Sequence, residues 1–202
     1  MSYEISRVLA AHNLNSLSPF IRGYYIDPAI CDNIIAESDL RKTDFMQGQL
    51  INDAVEFTGG RLDDYTPKVR DPYVEALFKV IEEYKKEFKF SYEIIDMWGL
   101  PPGMKVQYYK PGQAFRIWHC ESSGDPVSTA RHLVYMTYLN TIDDEGGTEF
   151  YHQQIKVKPE KGLTLIWPVD WTHMHRGVVA PTEEKMIITG WWMFKGPEDE
   201  IK

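Results

Sequence analysis

The spacing of apolar and polar positions changes character near residue 90. Before that point helix signals dominate. Asp27-Pro28 couples an N-cap side chain with a proline in the first turn and predicts a helix to about residue 40. Asp71-Pro72 repeats the device. After it Val74, Leu77, Phe78, Ile81 and Tyr84 recur at helical spacing, which predicts an amphipathic helix to about residue 88 with Glu82, Glu83, Lys85 and Lys86 in solvent. From residue 91 the pattern becomes short strands bounded by Gly, Pro and Asp. They are predicted over 92–98, 104–109, 115–119, 132–139, 148–151, 155–157, 163–167, 177–180 and 185–194.

About eight strands with such turns suit a mainly β fold, a double-sheet jelly roll or double-stranded β-helix, with the N-terminal helices covering one sheet. The expected organisation is one domain over 1–202, with a helical support region over 1–90 and a jelly-roll core over 91–194. No internal repeat, low-complexity segment or long linker interrupts it.

Composition narrows the function classes. The 202 residues suffice for one sizeable core, and 43% hydrophobic with 13% aromatic residues is an ordinary globular balance enriched in Trp and Tyr. A formal net charge of -8 argues against a basic nucleic-acid footprint. No apolar run reaches membrane-spanning length. Two cysteines, Cys31 and Cys120, make no disulfide framework and point to a reducing compartment. The N-terminal residues have no basic region followed by an apolar run. The expectation is a cytoplasmic protein without nucleic-acid or membrane partners.

Candidate chemistry lies in the second half. In His119-Cys120-Glu121 the ligand types are two apart, and on a strand such residues point the same way. Two His and one carboxylate on one face of a metal suit non-haem Fe(II). The third ligand has two candidates, His173 and His175, again two apart, and periodicity does not choose between them. Lys185, Ile187, Thr189, Trp191 and Met193 share the mostly apolar or small face of the last strand. A lysine opening an inward face needs an anionic partner, because a buried unpaired ammonium is costly. Gly146-Gly147-Thr148 lacks the Gly-Lys-Ser/Thr of a phosphate loop, so its glycines are read as turn devices. Cys120 should point away from the ligands as a buried structural thiol. Arg116, Arg131 and Arg176 are open candidates for substrate contacts or ion pairs.

Taken in order, Tyr109-Lys110-Pro111-Gly112, His119, Arg131, Tyr138-Leu139-Asn140, Gly146 to Phe150, Pro159, Gly162, His175-Arg176-Gly177 and Lys185 resemble the iron(II)- and 2-oxoglutarate-dependent oxygenases. The resemblance is to the prolyl 4-hydroxylase-like branch, small phage and marine-bacterial members above all, and covers roughly residues 90 to 194. It implies that His119, Glu121 and His175 hold Fe(II). In that family the iron histidine is followed two residues later by Gly and ten later by a basic residue. His175 has Gly177 and Lys185 there, whereas Glu183 stands ten after His173. His173 then becomes a neighbouring pocket residue. Lys185 takes the distal carboxylate of 2-oxoglutarate, Tyr109 and Tyr138 hydrogen-bond it, and Thr189 and Trp191 line its pocket. Glu121 departs from the usual Asp. The implied reaction is hydroxylation of an unactivated C–H bond of a small molecule, peptide or protein, a prolyl residue being the family-led choice. O2 is consumed, succinate and CO2 are coproducts, and ascorbate serves as reductant. The rival reading is a cupin-like jelly roll that binds metal without oxygenase turnover.

Overall fold

The computed structural model describes residues 6–7, 20–47, 54–93 and 97–195. In chain order the elements are β1 (Ser6–Arg7), β2 (Arg22–Tyr25), α1 (Pro28–Arg41), β3 (Met46–Gln47), β4 (Thr58–Arg61), α2 (Pro67–Glu87), β5 (Trp98–Gly99) and β6 (Lys105–Tyr109). They continue with α3 (Pro126–Thr129), β7 (Arg131–Tyr138), β8 (Thr148–Phe150), β9 (Ile155–Val157), β10 (Leu163–Pro168), β11 (His175–Gly177) and β12 (Lys185–Phe194). Nine strands form a large antiparallel sheet in the order β1-β2-β10-β7-β12-β6-β4-β3, with β5 also on β12. A second sheet runs β11-β8-β9. This is the expected mainly β double-stranded β-helix with helices on one sheet.

The large sheet is apolar on both faces because two layers pack on it. On the outer face, Tyr24, Val106, Tyr135, Ile188 and Trp192 meet Ile34 of α1 and Leu77, Val80, Ile81 and Tyr84 of α2. On the inner face, Tyr138, Leu165, Trp167 and Ile187 meet Phe150, Ile155 and Val157 of the small sheet. β12 serves both cores by alternation: Met186, Ile188 and Trp192 point outward, while Lys185 and Ile187 point inward. A chain of buried hydroxyls, Tyr73 with Thr137 at 2.9 Å and Thr137 with Thr164 at 2.8 Å, pins α2 to β7 and β10.

The helices start where capping chemistry is available. Asp27 accepts the Ala29 N–H at 2.9 Å ahead of Pro28 in α1. α2 begins at Pro67, not at Asp71-Pro72, and Pro72 lies inside it. The Thr66 hydroxyl is directed to Glu37 of α1 at 2.7 Å instead of to its own helix, so the start is fixed by a tertiary contact. The buried face also differs from the expected stripe: Tyr73, Ala76 and Val80 are buried with Leu77, Ile81 and Tyr84, while Phe78 is 47% exposed at the margin, edge-on to Trp192.

Four strand expectations need correction. The first ninety residues are not helical support alone, for β1 to β4 all join the large sheet. Of 92–98, residues 94–96 lie outside the described residues, and only Trp98–Gly99 is strand, after a 3-10 turn over Lys89–Ser91. Over 115–119 there is no strand, only single bridges from Phe115 to Val55 and from His119 to His175. The strand expected over 177–180 is His175–Gly177. Beyond it Val178 N–H donates to Gly147 and the Val179 carbonyl accepts from Gly146, so the backbone is satisfied by a loop.

Candidate metal centre and cosubstrate cavity

His119 and His175 are held opposite one another by their backbones. His119 N–H donates to the His175 carbonyl at 3.0 Å, and His175 N–H returns the bond at 2.9 Å. Each imidazole is fixed a second time. Nδ1 of His119 lies 2.8 Å from the Ile117 carbonyl oxygen, and Nδ1 of His175 lies 2.9 Å from that of His173. A carbonyl only accepts, so each Nδ1 carries a proton and each Nε2 presents a lone pair. Both Nε2 atoms lie 3.5 Å from Oε1 of Glu121. One donor atom from each of the three residues falls within 4.8 Å of the others.

Three electron-pair donors turned on one point repel one another unless a cation sits among them. This donor set therefore fits a divalent metal, and two nitrogens with one carboxylate oxygen fit Fe(II) in particular. Burial pushes the Glu121 carboxyl up, but hydrogen bonding and electrostatic interaction with His119 and His175 outweigh it and hold the group well below the usual carboxylate range. Burial lowers His175 itself, so its proton is readily given up to a metal.

Glu121 is anchored beyond this trio. Its N–H donates to the Val169 carbonyl at 2.9 Å. Its Oε2 accepts from Trp191 Nε1 at 3.0 Å and from an Arg131 terminal nitrogen at 3.3 Å. The same nitrogen donates to the Glu121 carbonyl at 2.6 Å, and the guanidinium lies 3.7 Å above the Trp191 ring. Arg131 is thus an ion-pair partner of a candidate ligand.

The trio forms one wall of a cavity of about 150 Å³. Its floor is the paired strands β6 and β12, where Tyr109 stands opposite Lys185 and Lys105 opposite Thr189. Lys185 is 4% exposed. Its ammonium donates to the carbonyls of Gly146 at 3.0 Å and Val178 at 3.3 Å and lies 4.7 Å over the Tyr109 ring. Among the described residues no carboxylate is in ion-pair contact with it, and burial lowers its pKa to about 8. Tyr109 donates to Gln107 Oε1 at 2.7 Å, and the Tyr138 hydroxyl shares a 2.6 Å bond with Thr148. Burial pushes both phenols up, so they stay neutral. Thr189 lines the cavity but donates its hydroxyl to the Tyr135 carbonyl at 3.1 Å.

His173 lies outside the trio. Its ring meets the Thr172 hydroxyl at 2.9 Å, and its carbonyl orients His175. Cys120 is half-buried, not buried, with Sγ 3.2 Å from the Ser122 carbonyl. Arg176 lines the cavity and pairs with Glu149 at 2.9 Å, whereas Arg116 pairs with Glu56 at 3.3 Å away from the lining. Sequence reasoning missed Lys105 and Gln107 as lining residues. Their signal was available, since both share the alternation of Tyr109 on β6.

Residues 104–193, the stretch holding this whole constellation, match the family model of the 2OG-Fe(II) oxygenase superfamily. This stretch is a 2-oxoglutarate-dependent oxygenase domain. Fe(II), 2-oxoglutarate and O2 are accordingly its cofactor and cosubstrates. No curated protein matches the oxygenase in sequence. Solved structures do match its fold. The viral collagen prolyl hydroxylase of Paramecium Bursaria Chlorella virus-1, in complex with 2OG, superposes with TM-score 0.67 at 19% identity, over 88% of this chain and 98% of that one. A Pseudomonas putida prolyl-4-hydroxylase gives 0.64 at 16% identity, over 93% and 96%. A Trichoplax adhaerens prolyl hydroxylase, in complex with a hypoxia inducible factor peptide fragment, gives 0.64 at 16%, over 90% and 86%. At these identities the likeness is one of fold. Among the described residues no helix is long and apolar enough to cross a membrane.

Proposed function

We propose that the oxygenase hydroxylates a prolyl residue of a peptide or protein, with His119, Glu121 and His175 holding Fe(II) and Lys185 holding the distal carboxylate of 2-oxoglutarate. The observation that carries this reading is one cavity with a three-donor metal set on its wall and, on its floor, a buried ammonium with no carboxylate in contact among the described residues. A metal-binding jelly roll without a cosubstrate has no use for that ammonium, which costs stability. Bound Fe(II) with 2-oxoglutarate and O2 supplies the oxidising power that turns C–H into C–OH, with succinate and CO2 as coproducts.

The chain's own residues orient and exclude. The two Nδ1–H bonds to backbone carbonyls keep both Nε2 lone pairs facing inward. Lys185 pairs with the cosubstrate's far end, and Tyr109 and Tyr138 stand beside it as neutral hydrogen-bonding groups. Met136, Trp167 and Ile187 make the neighbouring walls apolar and keep water out. Residues 1–202 act as one domain in this reading, with β2 and β4 from the first ninety residues in the same sheet as β12.

A peptide substrate is supported by an aromatic row beside the cavity. Trp118 meets Tyr151 edge-on, Tyr151 meets His152, and His152 meets Trp171. Tyr151 and Trp171 are 59% and 68% exposed, and Arg176, a cavity residue, lies 4.4 Å over Trp118. Flat exposed rings suit proline-rich segments in the polyproline conformation. The Trichoplax protein of like fold is itself bound to a peptide fragment. The test is succinate release from 2-oxoglutarate under Fe(II) and O2, together with mass spectrometry of proline-containing peptides. Succinate release with a one-oxygen mass gain on proline is expected. Succinate release stimulated only by a non-peptide molecule would overturn the substrate assignment, and no succinate under any condition would overturn the activity.

A further inference from the structure

We infer that Trp191 and Arg131 act as a clamp that restricts Glu121 to a single metal-facing oxygen. The inference rests on the proposed metal set and concerns a point it leaves open. A carboxylate can approach a metal through one oxygen or through two. The glutamate side chain has a methylene more than aspartate and so more freedom to turn both oxygens inward. In a six-position site, a two-oxygen Glu121 with two imidazoles would fill four positions. A chelating 2-oxoglutarate would fill the rest, and O2 would have no place.

The geometry separates the two oxygens. Oε1 is the atom lying 3.5 Å from both Nε2 atoms. Oε2 is turned to the other side, where the Trp191 indole N–H reaches it at 3.0 Å and Arg131 at 3.3 Å. Both are donors to an anionic oxygen, the stronger class of hydrogen bond. The clamp is itself fixed. Arg131 donates to the Glu121 carbonyl at 2.6 Å and stacks 3.7 Å over Trp191. The Lys105 ammonium lies 4.6 Å from the same ring. Cations over the indole face hold the ring and make its N–H a better donor. To turn Oε2 inward, Glu121 must break both bonds at once inside a largely buried site. Trp191 and Arg131 are therefore positioning residues acting through Glu121.

The experiment uses the whole protein loaded anaerobically with Fe(II), then 2-oxoglutarate, then nitric oxide as a spectroscopic stand-in for O2. Trp191→Phe keeps a ring and deletes the donor, and Arg131→Met deletes the other. Wild type is expected to show the 2-oxoglutarate charge-transfer band and then the high-spin iron–nitrosyl EPR signal. Each variant should keep its iron and its charge-transfer band but bind nitric oxide roughly tenfold or more weakly, the equivalent of one lost charge-assisted bond. If one variant does not fold, the other carries the test alone. Nitric oxide titrations that superimpose on wild type overturn the clamp. So does loss of iron from the variants, which would make the two residues serve iron retention instead. A wild type without the charge-transfer band overturns the cosubstrate reading, and the clamp with it, and is told apart by failing before nitric oxide is added.

Discussion

Replacing Lys185 with Met keeps the length of the side chain and deletes its charge, in a place where the charge has a single use. The ammonium is 4% exposed, with two backbone carbonyls and the Tyr109 ring about it and no carboxylate in contact among the described residues. If the distal carboxylate of 2-oxoglutarate completes this group, its loss removes one side of a buried charge pair, which costs about 2–5 kcal/mol. That corresponds to a fall in 2-oxoglutarate affinity of roughly 30-fold to several thousand-fold. The upper part of this range is the better expectation, because the orphaned carboxylate would face the Gly146 and Val178 carbonyls. Iron content should hardly change. The pH dependence follows with its sign. Burial lowers the lysine to about 8 in the free protein, so above that pH the group must take up a proton to bind, and affinity should fall by up to about tenfold per pH unit. Below pH 8 the native state carries the cost of a buried charge, which is relieved as pH rises toward the ordinary lysine range. Lys185→Met should therefore lack the break near pH 8 and melt a few degrees higher than wild type at pH 7. The assay is anaerobic titration of the Fe(II)-loaded proteins, read by the charge-transfer band, across pH 6.5 to 9.5 (on the order of one unit either side of the break). Equal affinities for wild type and variant would refute the reasoning.

His119→Ala and His175→Ala should each abolish stoichiometric iron binding, whereas His173→Ala should retain it, since only its carbonyl supports His175; metal analysis of the purified proteins decides. Glu121→Ala should lose most turnover, while Glu121→Asp should retain metal and some 2-oxoglutarate turnover without substrate, measured as succinate. Gly147→Ala should lower stability by roughly 1–3 kcal/mol in denaturant titration, because an added Cβ would stand 2.3 Å from the Val157 carbonyl oxygen across β8 and β9.

The core strands were legible where alternation is strong, as in β12, whose inward set includes Lys185 and Ile187 along the cavity floor. His119 and Glu121 stood out by ligand type and spacing, and His175 was preferred to His173 through the family resemblance alone, although the segment that carries His119 has single bridges instead of the expected strand. The strands before residue 90 were not legible. β4 reads Thr58-Gly59-Gly60-Arg61, with no apolar alternation, and its place is fixed by backbone pairing with β6, where a Cβ on Gly59 would meet the Val106 carbonyl oxygen at 2.3 Å. The start of α2 was hidden for a similar reason, since Thr66 is engaged by Glu37 from another helix. Lys105 and Gln107 could have been found by extending the odd-numbered face of β6 back from Tyr109.

The reciprocal backbone bonds between His119 and His175 bear on how the protein would acquire its metal. In a small metal-folded domain, the ion itself draws distant parts of the chain together, and its binding energy is consumed in ordering them. Here reciprocal backbone bonds close that long loop, and each imidazole is held by a carbonyl through its Nδ1, the nitrogen it does not offer to an ion. Loading and stripping then become events at a finished surface. A chelator should leave the circular dichroism spectrum and the cooperative melt in place, and ions should compete for the site by how well they fit a fixed bite, with little regard to how strongly they could organise a loose one.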